Sequence, residues 1–392
     1  MKTDFTEGLT IENNDGGSGG SGITDVMNGY AVLKEKQLAA TGQGLNRATV
    51  FNKDRLKLIS YTSTNPGGGA NRLLVAQANP DNITNVTNVS SIDLDFGQNY
   101  MSTIPLQDRV TVAADDSLLL LSGVNNNTNI FRVVINPGTY QITDIVAFDT
   151  GIASPKKVEI IDANTYINYT GQTLQIFAYD GETITRNKTI ALNFDVVRVS
   201  TVNGLIVAIG LNDIVFVDPA NENIVYSEIT QSALTLADVF GIDNYVFVKT
   251  LSSLETPVLG YRITSDKTVT KLPLSVAGGI LSGGVKSLVN VIKDDTAPAG
   301  QYIMSYHSDN VSNMMLHIDL ISYKVKNIEV GADVVTGAPA TTKPTFFADN
   351  RILYNSSTAG TPSTNYITVY RYAYTEISHR KNGKLFKIKG LG

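Results

Sequence analysis

The stretch LIVAIGLNDIVFVDPANENIVYSEI, residues 205–229, contains three short apolar runs separated by two polar turns. The runs LIVAI, DIVFV and IVYSEI have the length and the β-branched content of strands, and the turns between them carry Gly, Asn, Asp and Pro. A strand as continuously apolar as LIVAI must be covered on both faces. The stretch therefore predicts one part of a layered, all-β fold.

The same pattern of strand, turn and strand recurs from about residue 45 to the end of the chain. Seven such units follow one another, and their second strands start at Leu56, Leu118, Thr165, Leu205, Tyr245, Tyr302 and Arg351. A blade of four antiparallel strands needs roughly 40–50 residues, and stacking blades around an axis protects the edges of small sheets. The spacing predicts an all-β fold, a β-propeller with seven blades. A ring of six or eight blades, a pair of β-sandwiches and a long β-prism without ring closure remain as alternatives.

This periodicity also predicts the organisation of the chain. Residues 1–15 form a short flexible N-terminal arm, residues 16–22 (GGSGGSG) a Gly/Ser linker, and residues 23–392 the propeller. Residues 29–40 are a candidate for the strand that closes the ring, and residues 383–391 compete for the same edge. Residues 232–240 and 283–291 are each compatible with one turn of helix. The seven blades are expected at residues 45–97, 105–150, 155–192, 193–231, 235–275, 285–331 and 342–392.

One unit resembles a known repeat. The segment NDIVFVDPANENIVYSEI, residues 212–229, is similar to the YVTN-type propeller repeat of bacteria and archaea, whose third strand ends in Asp before an Asn-containing turn. Residues 173–190 match the same repeat more loosely. The resemblance implies a propeller and no particular activity. The Trp-Asp pair of WD repeats, the Asp-box of sialidases and the spaced aromatic residues of kelch repeats are missing from the sequence.

Composition excludes several kinds of chemistry. The 392 residues include no Cys, which excludes disulfides, thiol catalysis and cysteine-ligated metals. Trp is also absent, which removes the commonest side chain for stacking on sugars. The net charge of −5 does not favour nucleic acid as a partner. No classical secretory signal and no apolar run of the roughly 18 residues needed to cross a bilayer are present, so we expect a soluble protein made in a cytoplasm.

Three histidines are the only candidates for a site with imidazole chemistry. His307 and His317 lie on consecutive strands of the sixth unit, where a two-histidine metal site with Asp309 or Asp319 is conceivable. The alternative, which we favour, is that both are ordinary strand residues. His379 lies in SHRKNGK, which is typical of a solvated turn.

Carboxylates and glycines give no stronger site. The pairs Asp115–Asp116 and Asp294–Asp295 lie in expected loops, where adjacent carboxylates usually point apart. Asp218 and Asn221 lack the spacing of a calcium loop and are interpreted as turn residues. The run NPGGG, residues 65–69, lacks the Lys-Ser/Thr of a phosphate-binding loop. The sequence therefore predicts no catalytic residue, no metal ligand and no cofactor, and a protein that is not an enzyme.

The ensemble of features favours a structural or binding role. A large β body without Cys or Trp, rich in Asn and Thr and joined to an arm by a Gly/Ser linker, is similar in composition and layout to virion proteins of tailed bacteriophages. That resemblance implies a tail, baseplate, fibre or decoration protein that is present in multiple copies in the virion and assembles in the host cytoplasm. Its expected partners are other virion proteins, bound through the arm, and a glycan or receptor on the host surface.

Two alternatives come from other classes. The first is a binding propeller of the bacterial cell surface or periplasm, and the second is an enzyme acting on polysaccharides. The C-terminus is basic, with His379, Arg380, Lys381, Lys384, Lys387 and Lys389. It either docks an acidic partner or nucleic acid, or blunts a strand edge with lysines, and we favour the second explanation.

Overall fold

The computed structural model describes 17 segments of the chain, and all of the regular structure in them is β-strand. The described residues are 26–40, 49–52, 57–63, 71–79, 82–94, 110–113, 115–122, 128–151, 158–230, 235–251, 257–277, 290–307, 313–328, 345–347, 350–357, 365–378 and 388–389. The positions divide into two compact units, residues 30–373 and residues 1–29 with 374–392.

The first three sheets of the larger unit each contain four antiparallel strands in chain order. Strand β1 (Val26–Ala40) precedes them. Sheet 1 contains β2 (Thr49–Asn52), β3 (Lys57–Ser63), β4 (Asn71–Asn79) and β5 (Asn82–Leu94). Sheet 2 contains β6 (Val110–Val112), β7 (Leu118–Ser122), β8 (Asn129–Ile135) and β9 (Ile142–Asp149). Sheet 3 contains β10 (Glu159–Asp162), β11 (Thr165–Thr170), β12 (Thr173–Tyr179) and β13 (Ile184–Ala191).

Sheets 4 and 5 repeat the same arrangement, whereas sheet 6 gains a fifth strand. Sheet 4 contains β14 (Arg198–Val202), β15 (Leu205–Ile209), β16 (Asp213–Asp218) and β17 (Asn223–Ile229). Sheet 5 contains β18 (Leu236–Ile242), β19 (Tyr245–Thr250), β20 (Val258–Ile263) and β21 (Val269–Leu272). Sheet 6 contains β22 (Ser275–Ala277), β23 (Asn290–Lys293), β24 (Gln301–His307), β25 (Asn313–Asp319) and β26 (Lys324–Ile328), with β22 parallel to β26.

Sheet 7 is built from both ends of the chain. It contains β27 (Thr345–Phe347), β28 (Arg351–Ser357) and β29 (Asn365–Ser378), and β1 is the neighbour of β29. In the smaller unit, β30 (Ile388–Lys389) pairs with Glu376 and Ile377 of β29. Both segments that competed for the closing edge in the sequence, residues 29–40 and 383–391, thus contribute a strand beside β29.

The sheets of the larger unit follow one another in a closed cycle. Contacts between inner strands join β6 to β10, β10 to β14, β14 to β18, β18 to β23, β23 to β27 and β27 to β2, and outer strands β5 and β9 join sheets 1 and 2. Four-stranded sheets that meet radially through their faces define a β-propeller, so the predicted fold class is confirmed. The number of blades stays a prediction, which the seven sheets of the described residues support.

The core lies between neighbouring sheets rather than at one centre. Six hydrophobic clusters of the described residues each fill the space between two consecutive sheets. Between sheets 4 and 5, for example, Val207 and Phe216 pack against Val246 and Tyr261. Every side chain of LIVAI in β15 is buried, because one face of the strand packs on sheet 3 and the other on sheet 5. Continuous apolarity in the second strand is therefore a consequence of stacking.

The two ends of the sheets carry different connections. We call the end at which the second strand turns into the third, and at which the outer strand leads to the next sheet, the upper face; the other end is the lower face. Lower turns repeat one geometry. Asn136 and Asp180 directly follow a third strand, Asp218 and Asp319 end one, and each side chain accepts a hydrogen bond from the backbone N–H two residues later. This Asx-turn satisfies the chain where it reverses.

Two expectations about local structure change. Residues 236–240 and 290–291 belong to strands β18 and β23, so the helical turns expected over 232–240 and 283–291 are wrong for their described parts. The apolar periodicity there arises because inner strands pack on two neighbouring sheets. Strand β22 was not predicted; it lies at the junction expected between the fifth and sixth blades and covers the outer edge of sheet 6.

Polar side chains link the outer parts of sheets 3, 4 and 5. Lys188 of β13 donates hydrogen bonds to the carbonyl oxygens of Pro219 (2.9 Å) and Ala220 (3.0 Å) in the lower turn of sheet 4. Asp218 at the start of that turn forms an ion pair with Lys267 of sheet 5 at 2.8 Å. A hydrogen bond from Lys267 is the main reason that the pKa of Asp218 lies below its usual value. The turns of three consecutive sheets are thereby tied together.

Candidate protein-binding site

Three large aliphatic side chains are exposed at the upper face of sheets 4 and 5. Leu211 lies in the turn between β15 and β16 and is 62% exposed, Ile229 ends β17 and is 76% exposed, and Leu251 follows β19 and is 39% exposed. We call these three residues the apolar patch. Aliphatic groups left in water at adjoining strand ends are typical of a surface that binds another protein.

Backbone hydrogen bonds hold the patch in place. The carbonyl oxygen of Leu211 accepts a hydrogen bond from the N–H of Leu236 (2.8 Å), and the N–H of Leu251 donates to the carbonyl oxygen of Thr235 (2.7 Å). Sheets 4 and 5 are therefore joined directly beneath the patch. A surface fixed in this way loses little conformational entropy when a partner binds.

A close approach between sheets 3 and 4 requires Gly210 beside the patch. A Cβ atom at this position would lie 2.6 Å from Cδ2 of Phe194 and 3.2 Å from Oδ2 of Asp213. The side chain of Phe194 is buried, so a larger residue at position 210 would displace the packed ring. Gly210 also donates its N–H to the carbonyl oxygen of Asp213 at 2.8 Å, which closes the turn that presents Leu211.

Carboxylates form the rim of the patch on the side of sheet 3. Asp195 is exposed and Asp213 is half-buried. The Asp213 carboxylate lies next to Gly210, whereas Asp195 approaches Gly210 with its backbone carbonyl oxygen and places Oδ1 of its carboxylate 4.0 Å from a Cβ atom at Gly171, in the upper turn of sheet 3. We call Asp195 and Asp213 the acidic rim. A partner of this surface is expected to combine apolar with basic side chains, because charges of opposite sign steer association and fix its register.

The basic side chains at the upper ends of sheets 4 and 5 are turned inward, as far as the structure describes these ends. Nε of Arg198 lies 3.8 Å from Oδ1 of the buried Asp238. Lys249 is also buried and donates a hydrogen bond to the carbonyl oxygen of Thr250 (2.7 Å). Burial lowers the pKa of Lys249 to about 8. These cations therefore stabilise the strand ends and leave the exposed charge at the rim negative.

Strand pairing separates the two histidines of sheet 6. His307 pairs with Asn313, whereas His317 pairs with Ile303, four residues before His307 on β24. At about 3.3 Å per residue this separates them by roughly 13 Å along the strand. His317 is buried and its Nε2 contacts Oε1 of Gln301. Burial lowers the pKa of His317 to about 4, so the imidazole is neutral at pH 7.

The expected metal site does not form around His317. Asp319 instead accepts hydrogen bonds from Gln301 Nε2 (2.8 Å) and Ser322 Oγ (2.6 Å) and caps a lower turn. Asp309, the other proposed ligand, lies outside the described residues, as does His379. In the described part of the chain, no group of three potential metal ligands is close enough to hold an ion.

The adjacent carboxylate pairs are turn residues. Asp115 accepts hydrogen bonds from the backbone N–H (3.1 Å) and Oγ (2.6 Å) of Ser117. Asp294 does the same with Thr296, at 2.9 Å and 2.6 Å. Asp116 has a φ of 61°, a left-handed conformation that Asp tolerates better than most residues. Oδ1 of Asp115 and Oδ1 of Asp294 thus each accept hydrogen bonds from the turn that they start.

Asp218 and Asn221 behave as the sequence predicts. Oδ1 of Asp218 accepts a hydrogen bond from the N–H of Ala220 at 3.0 Å, and Nδ2 of Asn221 donates to Oδ2 of Asp218 at 3.3 Å. Both oxygens therefore serve the turn. The glycine-rich residues 65–69, the linker 16–22 and the arm 1–15 lie outside the described residues.

A small cleft opens at the lower face of sheets 3, 4 and 5. It has a volume of about 230 Å³ and is lined mainly by turn residues, among them Asn203, Gly241 and Asp243. The carboxylate of Asp243 accepts a hydrogen bond from the Tyr302 hydroxyl at 3.0 Å, and Nδ2 of Asn203 donates to the Ile263 carbonyl oxygen at 3.3 Å. The polar groups of the cleft thus have partners in the neighbouring sheets.

Sequence reasoning missed the apolar patch. The available signal was Leu211, an aliphatic residue between Gly210 and Asn212 in a turn where polar residues are usual. Ile229 gave no signal, because an isoleucine at the end of a strand is ordinary. Among the described residues, no helix has the length and apolar character that crossing a bilayer requires.

Comparison with known proteins identifies the fold. No protein-family model and no curated protein matches the sequence. Solved structures do match, among them the WD40 domain of Toxoplasma gondii coronin, with a TM-score of 0.55, 12% identity and coverage of 93% of this chain and 91% of that chain. A putative 6-phosphogluconolactonase from Bacteroides fragilis has a TM-score of 0.54 and 9% identity over 85% of this chain and 94% of that chain.

A third match is a chain of a mitotic checkpoint complex, with a TM-score of 0.54 and 10% identity over 92% of this chain and 98% of that chain. At these identities the likeness concerns the fold alone. The match to a WD40 domain, in a sequence without Trp, shows that the propeller does not depend on the WD signature. Membership of the YVTN-type repeats stays a prediction from residues 212–229.

Proposed function

We propose that this protein is a non-enzymatic β-propeller scaffold that binds other proteins through the upper face of sheets 4 and 5. The apolar patch carries this proposal, because Leu211 and Ile229 expose more than half of their surface and backbone hydrogen bonds join Leu211 to Leu236 and Asn212 to Thr230. Asp115, Asp180 and Asp294 of the lower turns each accept a hydrogen bond from a backbone N–H group of their own turn, which supports a structural role for these residues.

Within that class, we propose a structural or receptor-binding component of a tailed-bacteriophage virion, which assembles in the host cytoplasm. The support is the composition of the sequence: a Cys-free and Trp-free β body, abundant Asn and Thr, and an arm joined by a Gly/Ser linker. In this proposal the arm, residues 1–15, holds the protein to the particle, and the propeller contacts neighbouring proteins or a host receptor.

Sedimentation tests the virion proposal. In cells that carry the gene, the protein is expected to sediment with nucleic-acid-containing particles in a density gradient. Deletion of residues 1–22 is expected to leave a folded propeller with an unchanged melting temperature that no longer sediments with the particles. Co-sedimentation of the truncated protein would show that the arm is not the anchor, and soluble full-length protein in every fraction would contradict the virion role.

Substitution tests the patch as the contact surface. The double variant Leu211→Ser, Ile229→Ser is expected to fold normally, because both side chains are exposed, and to lose most of its association with partner proteins. Ile321→Ser is a matched control, since Ile321 is 68% exposed in the lower turn of sheet 6. Equal association of all three proteins would refute the assignment of the patch.

A further inference from the structure

The last part of the chain has a composition found nowhere else in it. Residues 379–392, HRKNGKLFKIKGLG, contain five Lys and Arg residues and no acid. Their formal charge is +5, so the net charge of −5 for the whole chain leaves −10 on residues 1–378. Apolar side chains alternate with the basic ones at Leu385, Phe386, Ile388 and Leu391. We call residues 379–392 the basic tail.

The apolar patch and its acidic rim have the complementary chemistry. Leu211, Ile229 and Leu251 expose aliphatic surface. Asp213 places its carboxylate beside Gly210 in the turn that carries Leu211, and the carboxylate of Asp195 lies near Gly171 in the upper turn of sheet 3. A segment that fits this surface needs apolar side chains flanked by Lys or Arg. We infer that the apolar patch of one copy binds the basic tail of a second copy. This inference rests on the proposed function of the patch as a protein-binding surface.

The inferred contact is heterologous, because the two surfaces that meet are different. Each copy then offers one patch and one tail, so association proceeds head to tail and builds rings or filaments rather than a closed dimer. Such growth suits a component that is repeated in a particle. The contact combines burial of aliphatic groups, which is insensitive to salt, with charge pairs at the rim, which salt screens.

A competing contact exists within each chain. Ile388 and Lys389 pair with Ile377 and Glu376 of β29 through their backbones. In the part of the tail that the structure describes, these two residues form a short strand. A free peptide with the tail sequence does not have this internal partner, so its binding in trans measures the affinity of the patch directly.

The test is a titration of a fluorescent peptide, residues 379–392, with the full-length protein, followed by anisotropy. We expect saturable binding that weakens at least tenfold in the Leu211→Ser, Ile229→Ser variant and several-fold in Asp213→Asn. Raising NaCl from 0.05 to 0.5 M should weaken binding several-fold, since the Debye length falls from above 10 Å to below 5 Å. Ile321→Ser should bind as the wild type does.

Peptide chemistry supplies a second control. A peptide with Lys384→Glu, Lys387→Glu and Lys389→Glu should lose binding if the acidic rim selects charge. Absence of binding by the natural peptide, or equal binding by the wild type and the double variant, would overturn the inference.

If the natural peptide does not bind while the double variant still loses its partner proteins, the patch binds a different protein and the proposed function stands. If the peptide binds through the patch but the protein never sediments with particles, the virion proposal fails and the tail contact stands.

Discussion

Glu228 joins sheets 4 and 5 at their outer strands, and its removal should destabilise the propeller measurably. Oε2 of Glu228 accepts hydrogen bonds from the hydroxyls of Tyr226 (2.9 Å) and Tyr261 (3.1 Å), and Oε1 forms an ion pair with Lys271. Burial raises the pKa of Tyr226 to about 12 and that of Tyr261 further, so both hydroxyls remain donors at neutral pH. The rings of Tyr226 and Tyr261 also pack edge to face at 5.8 Å.

The expected cost of Glu228→Leu follows from the exposure of each partner. Tyr261 is fully buried, and a buried hydroxyl without an acceptor costs about 1–3 kcal/mol. Tyr226 reaches solvent, and the Lys271 side chain is 45% exposed, so the ion pair contributes about 0–1 kcal/mol. Together these give a loss of roughly 1–4 kcal/mol in the free energy of unfolding.

Urea unfolding of matched variants measures this cost. Glu228→Leu should lower the midpoint at an unchanged slope. Adding Tyr226→Phe and Tyr261→Phe to that variant should recover most of the loss, because removing all hydrogen-bonding partners together is nearly neutral. A single variant that costs less than about 0.5 kcal/mol, or a triple variant no more stable than Glu228→Leu, would refute this account of the cluster.

The pH dependence of the cluster has a definite sign. Burial alone would raise the pKa of Glu228, but hydrogen bonds from Lys271, Tyr226 and Tyr261 hold it below its usual value. A carboxylate with a lowered pKa in the folded state stabilises the fold above its unfolded pKa of about 4.3 and loses that contribution as the pH falls through the folded value. The difference between the wild type and Glu228→Leu should therefore shrink in acid.

Three further predictions concern other links of the fold. His317 has a pKa of about 4 in the folded protein and takes up a proton more readily in the unfolded chain, so the free energy of unfolding should fall by about 3 kcal/mol between pH 6.5 and 4. In urea titrations the His317→Gln variant should lose less stability over this pH range. An equal loss in the wild type and the variant would contradict the role of His317. Gly241→Ala should lower the free energy of unfolding by about 1–3 kcal/mol, because the new Cβ would lie too close to the carbonyl oxygen of Thr201. An unchanged melting temperature would show that β14 and β18 can move apart without loss of stability. Asp218→Asn should weaken the bond to Lys267 and lower the melting temperature at pH 7. The difference should shrink as the pH falls through the lowered pKa of the wild-type carboxylate, and a difference that stays constant in acid would contradict the charge-based explanation.

Most strands were predictable because their signal is local. The second strands expected at Leu118, Thr165, Leu205, Tyr245 and Arg351 begin at these residues in the structure. A strand packed between two sheets must be apolar on both faces, and a reversal of direction needs residues that tolerate turn geometry. Both requirements act on a few consecutive residues, so they are visible in the sequence.

Contacts between sheets were not predictable in this way. Strand β22 has only three residues and no alternating pattern, yet it pairs with β26, which lies almost fifty residues later in the sequence. The bonds from Lys188 to the turn of sheet 4 and the cluster around Glu228 depend on which sheets stand side by side. Nothing in the local sequence of these side chains records their partners.

The candidate site also shows the difference between what the local sequence reveals and what only the assembled sheets reveal. The histidines and paired carboxylates drew attention in the sequence because of their residue types, but the described members serve turns or the core. The patch was missed because exposure, not residue type, distinguishes Leu211, Ile229 and Leu251 from the buried aliphatic residues around them. Exposure is a property of the assembled sheets.

The sequence by itself determined that this chain forms short apolar strands joined by Asp-, Asn- and Gly-rich turns, and the spacing of the strands determined a repeat fold. Strand length, side-chain alternation and turn conformation are properties of neighbouring residues, which is why they could be deduced. Only the tertiary structure decided which strand ends remain in water, which lysines tie one sheet to the next and that His317 is buried. These outcomes depend on the stacking of sheets around the ring, which brings together residues that lie 30 or more positions apart in the chain, such as Lys188 with Pro219 and Glu228 with Tyr261.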